Sequence, residues 1–341
     1  MRSILVTGAA GAVGRRVVVE LAKSAEERRI IALDREPMAF AEFADGVEVV
    51  RADLLEADLE PILKGVDSVV HLAEDRSRRF NAKVARSMLE RLQEAAAIAG
   101  VDHFVLLSSA LVYGAHGDNP VPITENQPLR PSNLAHARIK AEMEAVSTEW
   151  AARHRIRLAV VRPTVALSEG ETSWIGSAIR AAMTVRPEQV DPPVQFVHHD
   201  DLARAVALVV DRELESVFNV AADGWIGADA FRALRGETEV RLPDRAGRLR
   251  YQAAKMFADR SLLEDLEPYV SHPWVVATDR LRAEGWRPLY SNEEAYIAGT
   301  TPPLLASLGP QKRQELALGA AGVAGVAVAG VAAWMARRLL R

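Results

Sequence analysis

Three glycines, Gly8, Gly11 and Gly14, stand three residues apart directly behind the apolar run Ile4-Leu5-Val6. A strand that turns sharply into a helix while its backbone N–H groups approach a pyrophosphate leaves no room for side chains at such places. Ala12 and Val13 belong to the same turn. Asp34 closes the next apolar run, 30–33, twenty residues after Gly14. A carboxylate there accepts the hydroxyls of an adenosine ribose, so the chemistry implied is dinucleotide binding. A 2′-phosphate would meet that carboxylate, which favours NAD over NADP, while Arg35 immediately beyond keeps NADP in view. Glu74, Asp75, Arg76, Arg78 and Arg79 follow the fourth apolar run. Those arginines could pair with a phosphate, although a solvated charged loop is the plainer reading. His198, His199, Asp200 and Asp201 carry metal-ligating groups. Adjacent strand residues point to opposite faces, and an Asp ahead of Leu202 reads as a helix N-cap, so no metal is assigned. Trp225, Trp274 and Trp286 could line a pocket, but burial is the usual fate of such side chains.

The elements that must position these groups follow from periodicity. Apolar β-type runs recur at 4–6, 30–33, 47–50, 68–72, 104–107 and 158–161, with helix-compatible stretches between most of them. That alternation predicts an α/β fold, a doubly wound parallel sheet (Rossmann) with the cofactor across the strand C-terminal ends. Residues 1–165 read as the dinucleotide-binding domain and 166–300 as a smaller substrate lobe, with sheet-completing segments interleaved near 194–221. The chain of 341 residues is 49% hydrophobic, carries a net charge of −4 and has no cysteine. It therefore has material for a sizeable core, no basic footprint for nucleic acid, and neither disulfides nor thiolate chemistry. A first strand beginning at once leaves no room for a signal peptide, so a cytoplasmic domain is expected.

The C-terminal stretch differs. Residues 316–336 contain no charge, and 21 residues in a helix span roughly 30 Å, the thickness of a bilayer core. They read as a hydrophobic transmembrane helix behind a linker, 301–315, anchoring the domain to the cell membrane. The stretch leans on Ala and Gly, which makes insertion marginal, yet in a soluble helix each glycine costs about 1 kcal/mol. Arg241, Arg245, Arg248 and Arg250 form a basic cluster that could sit against anionic lipid.

Further strings join the glycine turn: Ala52-Asp53-Leu54, Val70-His71-Leu72-Ala73, Leu107-Ser108-Ser109-Ala110-Leu111-Val112-Tyr113-Gly114, Val161-Arg162-Pro163, Phe196-Val197-His198-His199-Asp200-Asp201-Leu202-Ala203 and Leu281-Arg282-Ala283-Glu284-Gly285-Trp286-Arg287-Pro288. Together they resemble the extended short-chain dehydrogenase/reductase family, the NAD-dependent epimerase/dehydratase group, over residues 1–300. The resemblance implies cofactor contacts at Asp53, Leu54, Leu72, Ala73, Ser108, Lys140 and Pro163. It also implies substrate contacts at Ser109 and Tyr113, and a homodimer paired through helices that include the one bearing Lys140. In that family a Ser or Thr, a Tyr and a Lys carry the chemistry, Tyr and Lys lying four apart on one helix face.

Ser109 and Lys140 match that pattern, but four residues before Lys140 stands His136, and no tyrosine occurs between Pro128 and Trp150. Three readings stay open. His136 serves as proton donor and acceptor, an imidazole titrating in the right range; or redox chemistry is lost while the cofactor is kept; or Tyr113 or a water supplies the proton. The family's helix-supporting Asn also falls, on ungapped counting, at Ala85, with Asn81 one turn earlier. Two functions are thus carried forward. One is an NAD-binding epimerase/dehydratase-like oxidoreductase acting on a hydroxyl or carbonyl of a small nucleotide-sugar or lipid-like substrate, with Ser109, His136 and Lys140 as its catalytic residues. The other is an inert, membrane-tethered NAD-binding regulatory or scaffold protein.

Overall fold

The computed structural model describes residues 2–23, 27–38, 46–74, 81–169, 171–172, 174–185, 192–234 and 260–300. Strand β1 (Arg2–Thr7) is buried on both faces beyond its first residue. Its Ile4 and Val6 join one core with Val17 and Val18 of α1 (Ala12–Ala22) and Leu202 and Val206 of α6 (His199–Asp211). Leu5 points the other way and joins a second core, with Leu63 of the short α2 (Glu60–Leu63) and Leu89 and Leu92 of α3 (Ala82–Ala99). Helix α4 (Ala135–His154) adds Ile139 and Met143 to the second core. Helices therefore cover both faces of the sheet, which is why most of its strands read as continuous apolar runs.

Besides β1 the sheet contains β2 (Arg28–Asp34), β3 (Val47–Arg51), β4 (Ser68–His71), β5 (His103–Leu107), β6 (Arg157–Pro163) and β10 (Ser216–Val220). Their spatial order is β10-β6-β5-β4-β1-β2-β3 and every adjacent pair is parallel. The chain runs outward from β1 to β3, crosses back to β4 and then runs outward the other way. This reversal beside β1 opens a crevice at the strand C-terminal ends.

A second sheet holds β7 (Val165–Ser168), β8 (Glu171–Thr172) and β9 (Phe196–His198) in the order β8-β7-β9. The sequence reading of 194–221 as sheet-completing thus divides in two. Residues 216–220 extend the main sheet, Ser216 facing Ala159, whereas 196–198 pair with β7. The hydrogen bonds Thr164 N to Val220 O and Ala222 N to Phe196 O tie both strand ends to the same turn region. A third core, around Phe196, Phe231, Tyr269 and Trp274, holds this part together, with α5 (Trp174–Val185) against the helix Arg260–Ser271. The described residues up to Gly299 form one compact unit.

Helix α6 is capped differently from expectation. His198 is its N-cap, Nδ1 accepting from Asp200 N at 3.2 Å. Asp201, fully buried, instead accepts from Leu289 N and Tyr290 N, both at 2.9 Å, and so fastens that loop to α6. Trp274 and Trp286 are buried, while Trp225 is exposed. Among the described residues no helix is long and apolar enough to cross a membrane. The segments 301–315 and 316–336, the arginine cluster at 241–250, and Asp75, Arg76, Arg78 and Arg79 lie outside the described residues.

Candidate functional site

The glycine turn needs its glycines for space. At Gly8, with φ +73°, a Cβ would stand 2.6 Å from Ala73 N; at Gly14 it would stand 2.1 Å from Gly8 O. Gly11 is the N-cap of α1 and brings no side-chain capping group, and the first turn of the helix holds no acidic residue. The helix N-terminus thus meets the crevice with its positive end unanswered by a side chain.

A cavity of about 480 Å³ lies over this turn. Its walls include the turn residues Gly8, Gly11, Ala12, Val13 and Gly14, then Asp34 at the end of β2 and Arg35 beyond it, Asp53 and Leu54 after β3, and Leu72 and Ala73 after β4. Asp34 Oδ2 accepts from Ala10 N at 2.9 Å and Oδ1 from Glu36 N at 3.0 Å, so the carboxylate also braces the turn. Sequence reasoning weighed His199 only as a metal ligand and gave Glu74 only to a charged loop; both line the cavity with Leu107. His199 shares a hydrogen bond with Ser168 Oγ at 2.7 Å, and burial, reinforced by the charge of Arg16, pushes its imidazole down to about 3.

His136 and Lys140 project one turn apart on α4, and both are buried. Glu74 Oε1 joins them, 2.8 Å from His136 Nε2 and 3.3 Å from Lys140 Nζ. Lys140 also donates to Leu107 O at 2.9 Å. Burial alone would push the Glu74 carboxyl up, but the charges of Lys140 and His136 and their hydrogen bonds outweigh it and hold the group well below the usual carboxylate range. Behind the cluster, Thr7 Oγ1 and His71 Nδ1 stand 2.9 Å apart, and burial with the Lys140 charge pushes His71 down to about 3. The His71 Nε2 is buried with no hydrogen-bond partner among the described residues.

Other expected site residues lie apart from the cavity. Ser109 caps the 3-10 turn Ala110–Tyr113, its Oγ accepting from Leu111 N at 3.2 Å, and that turn packs against α4. Ser108, expected beside the cofactor, donates to Glu144 instead. Tyr113, expected to contact substrate, is 1% exposed; it donates to Asn219 Oδ1 at 2.8 Å and accepts from Arg162 Nη1 at 2.7 Å. Arg162 in turn donates to both oxygens of Glu144 from Nε, at 3.0 and 3.2 Å. The buried Glu144–Arg162 pair accounts for these partners, because a desolvated ion pair is sustained by further hydrogen bonds to its members. Pro163 ends β6 and does not line the cavity.

Residues 4–221 match the NAD dependent epimerase/dehydratase family. The chain belongs to that family. Relatives include protein y4nG of Sinorhizobium fredii, 25% identical over 237 residues, covering 65% of this chain and 57% of the relative. A (4-alkanoyl-5-oxo-2,5-dihydrofuran-3-yl)methyl phosphate reductase of Streptomyces griseus is 34% identical over 206 residues, 60% of this chain and 61% of that one. The chain thus spans about three fifths of the length of each. Among solved structures, the complex of Thermus thermophilus UDP-glucose 4-epimerase with NAD superposes with a TM-score of 0.63 at 20% identity, covering 87% of this chain and 97% of that one. The likeness is one of fold.

Proposed function

We propose that this epimerase/dehydratase family member binds NAD in the cavity over the glycine turn and is an oxidoreductase for a hydroxyl or carbonyl of a nucleotide-sugar or lipid-like substrate. The residues fit NAD: an uncapped helix N-terminus for the pyrophosphate, and Asp34 for a ribose, a carboxylate that the 2′-phosphate of NADP would have to meet even with Arg35 beside it. When bound, NAD supplies a hydride acceptor or donor. Ser109 hydrogen-bonds the reacting oxygen, His136 takes up and returns its proton, and Lys140 provides the positive field. With Nε2–H directed at Glu74, Nδ1 of His136 is the atom that accepts the proton.

The observation that carries this reading is the Glu74–His136–Lys140 cluster at one end of the cavity, an acid–base group beside the place of redox chemistry. The relatives support the substrate class: a dTDP-glucose 4,6-dehydratase and a UDP-glucose 4-epimerase lie among them. In the same proposal residues 1–165 carry the cofactor and 166–300 close over the substrate. Residues 316–336 tether the domain to the membrane from its cytoplasmic side, and a homodimer is the working form.

One observation favours a second reading. His136 is 3% exposed and its Nε2 is already taken by Glu74, which suits an inert NAD-binding protein whose occupancy governs a partner. Calorimetric titration with NAD, NADH, NADP and NADPH, followed by turnover assays on nucleotide sugars with His136→Ala, separates the two. Retained NAD binding with lost turnover supports the enzyme; turnover unchanged by the substitution removes His136 from it. If the natural protein is silent and His136→Tyr turns over sugar nucleotides, the inert reading holds.

A further inference from the structure

Glu74 stands between the cavity and the side chains of His136 and Lys140, the two positions that the family pattern would place at the ligand. Its side chain lines the cavity and is 28% exposed, whereas the side chains of His136 and Lys140 are 4% and 8% exposed and do not line it. Glu74 meets both His136 and Lys140 through Oε1 alone, and Oε2 has no hydrogen-bond partner among the described residues. A carboxylate oxygen beside a polar cavity with spare lone pairs is an acceptor awaiting a donor. Its charge would ordinarily repel a dinucleotide's pyrophosphate, but a lysine within 4 Å offsets it locally.

Position decides which donor it meets. Asp34 ends β2 and Asp53 lies beyond β3, on one side of the strand reversal; Glu74 lies beyond β4 and lines the cavity with Leu107 of β5, on the other side. A dinucleotide laid across the reversal has its adenosine on the first side and its nicotinamide half on the second. The donors presented there are the vicinal hydroxyls of the nicotinamide ribose.

We propose that Glu74, braced by Lys140 and His136, binds the nicotinamide-ribose hydroxyls of the dinucleotide through Oε2, taking a contact that would otherwise fall to the lysine. This rests on the NAD-binding reading above and adds a ligand-binding residue to it. Lys140 and His136 then act on the ligand through the carboxylate they hold, and the cavity carries an acidic acceptor at each end, Asp34 and Glu74.

The test is calorimetry on the full chain and on Glu74→Gln and Glu74→Ala, each titrated with NAD and with ADP, which lacks the nicotinamide ribose. The expected result is unchanged ADP affinity in all three proteins, with NAD weakened about tenfold in Glu74→Ala and less in Glu74→Gln, as for loss of a charge-assisted hydrogen bond. NAD affinity that is unchanged or raised in Glu74→Ala overturns the proposal, a rise marking Glu74 as a plug that the ligand must displace. Equal losses for ADP and NAD also overturn it, since the substitution would then have damaged the turn as a whole. Failure of the unsubstituted protein to bind either ligand overturns the NAD-binding reading itself, an outcome distinct from any seen only in the variants.

Discussion

Glu144 lies one turn beyond Lys140 on α4, and its carboxylate is the anchor for much of what surrounds the site. Arg162 binds it from Nε and Nη2, Ser108 donates to it, and Arg162 passes the connection on to Tyr113, whose ring its guanidinium carbon overlies at 4.9 Å. Both members of the pair are almost wholly buried, so removing one leaves the other desolvated and uncompensated. Glu144→Ala should therefore cost about 3–5 kcal/mol of unfolding free energy, measured by urea denaturation. Replacing both residues by leucine should cost less than that single change. A Glu144→Ala loss below about 1 kcal/mol would show that the pair is more hydrated than its burial implies.

At the scale of elements, α3 and α4 decide where the cluster stands, because they pack against each other on one face of the sheet. The start of α3 is fixed by Asn81, whose Oδ1 accepts from Lys83 N at 3.1 Å and Val84 N at 3.4 Å. Ala85, where ungapped counting looked for the supporting Asn, is buried inside the helix. Asn81, one turn earlier, serves α3 as its cap. Asn81→Ala should lower stability by about 1 kcal/mol, read as a small fall in the denaturation midpoint with an unchanged slope. No change at all would mean that water or a neighbouring group caps α3 equally well.

For the whole molecule, burial of neutral histidines sets the acid side of the stability curve. Burial is the leading cause that pushes His71 down to about 3, His103 to about 4 and His199 to about 3. In the unfolded chain each titrates near 6.5. Above that pH both states are neutral and the histidines contribute no pH dependence. As pH falls below about 6.5, the unfolded state gains protons that the folded state refuses, so stability drops until the folded pKa is reached. By pH 5 the penalty is on the order of 2 kcal/mol for each such histidine. Chemical denaturation between pH 7.5 and 5 should show this decline, and His103→Gln should lessen it. A flat profile would mean that the imidazoles protonate in the folded state.

What was legible from the sequence is what local chemistry decides. Gly8 and Gly14 must be glycine because backbone passes where a Cβ would sit, and the apolar runs with helix-compatible stretches between them permit little but a doubly wound sheet. The pairing of His136 with Lys140 is likewise a matter of helical spacing. The tertiary structure alone decided which groups those residues meet. Glu74 reaches His136 across 62 residues, Tyr113 reaches Asn219 across 106, and of the sheet-completing segments Ser216–Val220 finds β6 while Phe196–His198 finds β7. Such contacts depend on which strand lies beside which and in what register, and no local pattern carries that information, because a strand's alternation is satisfied equally by any neighbour that buries its face.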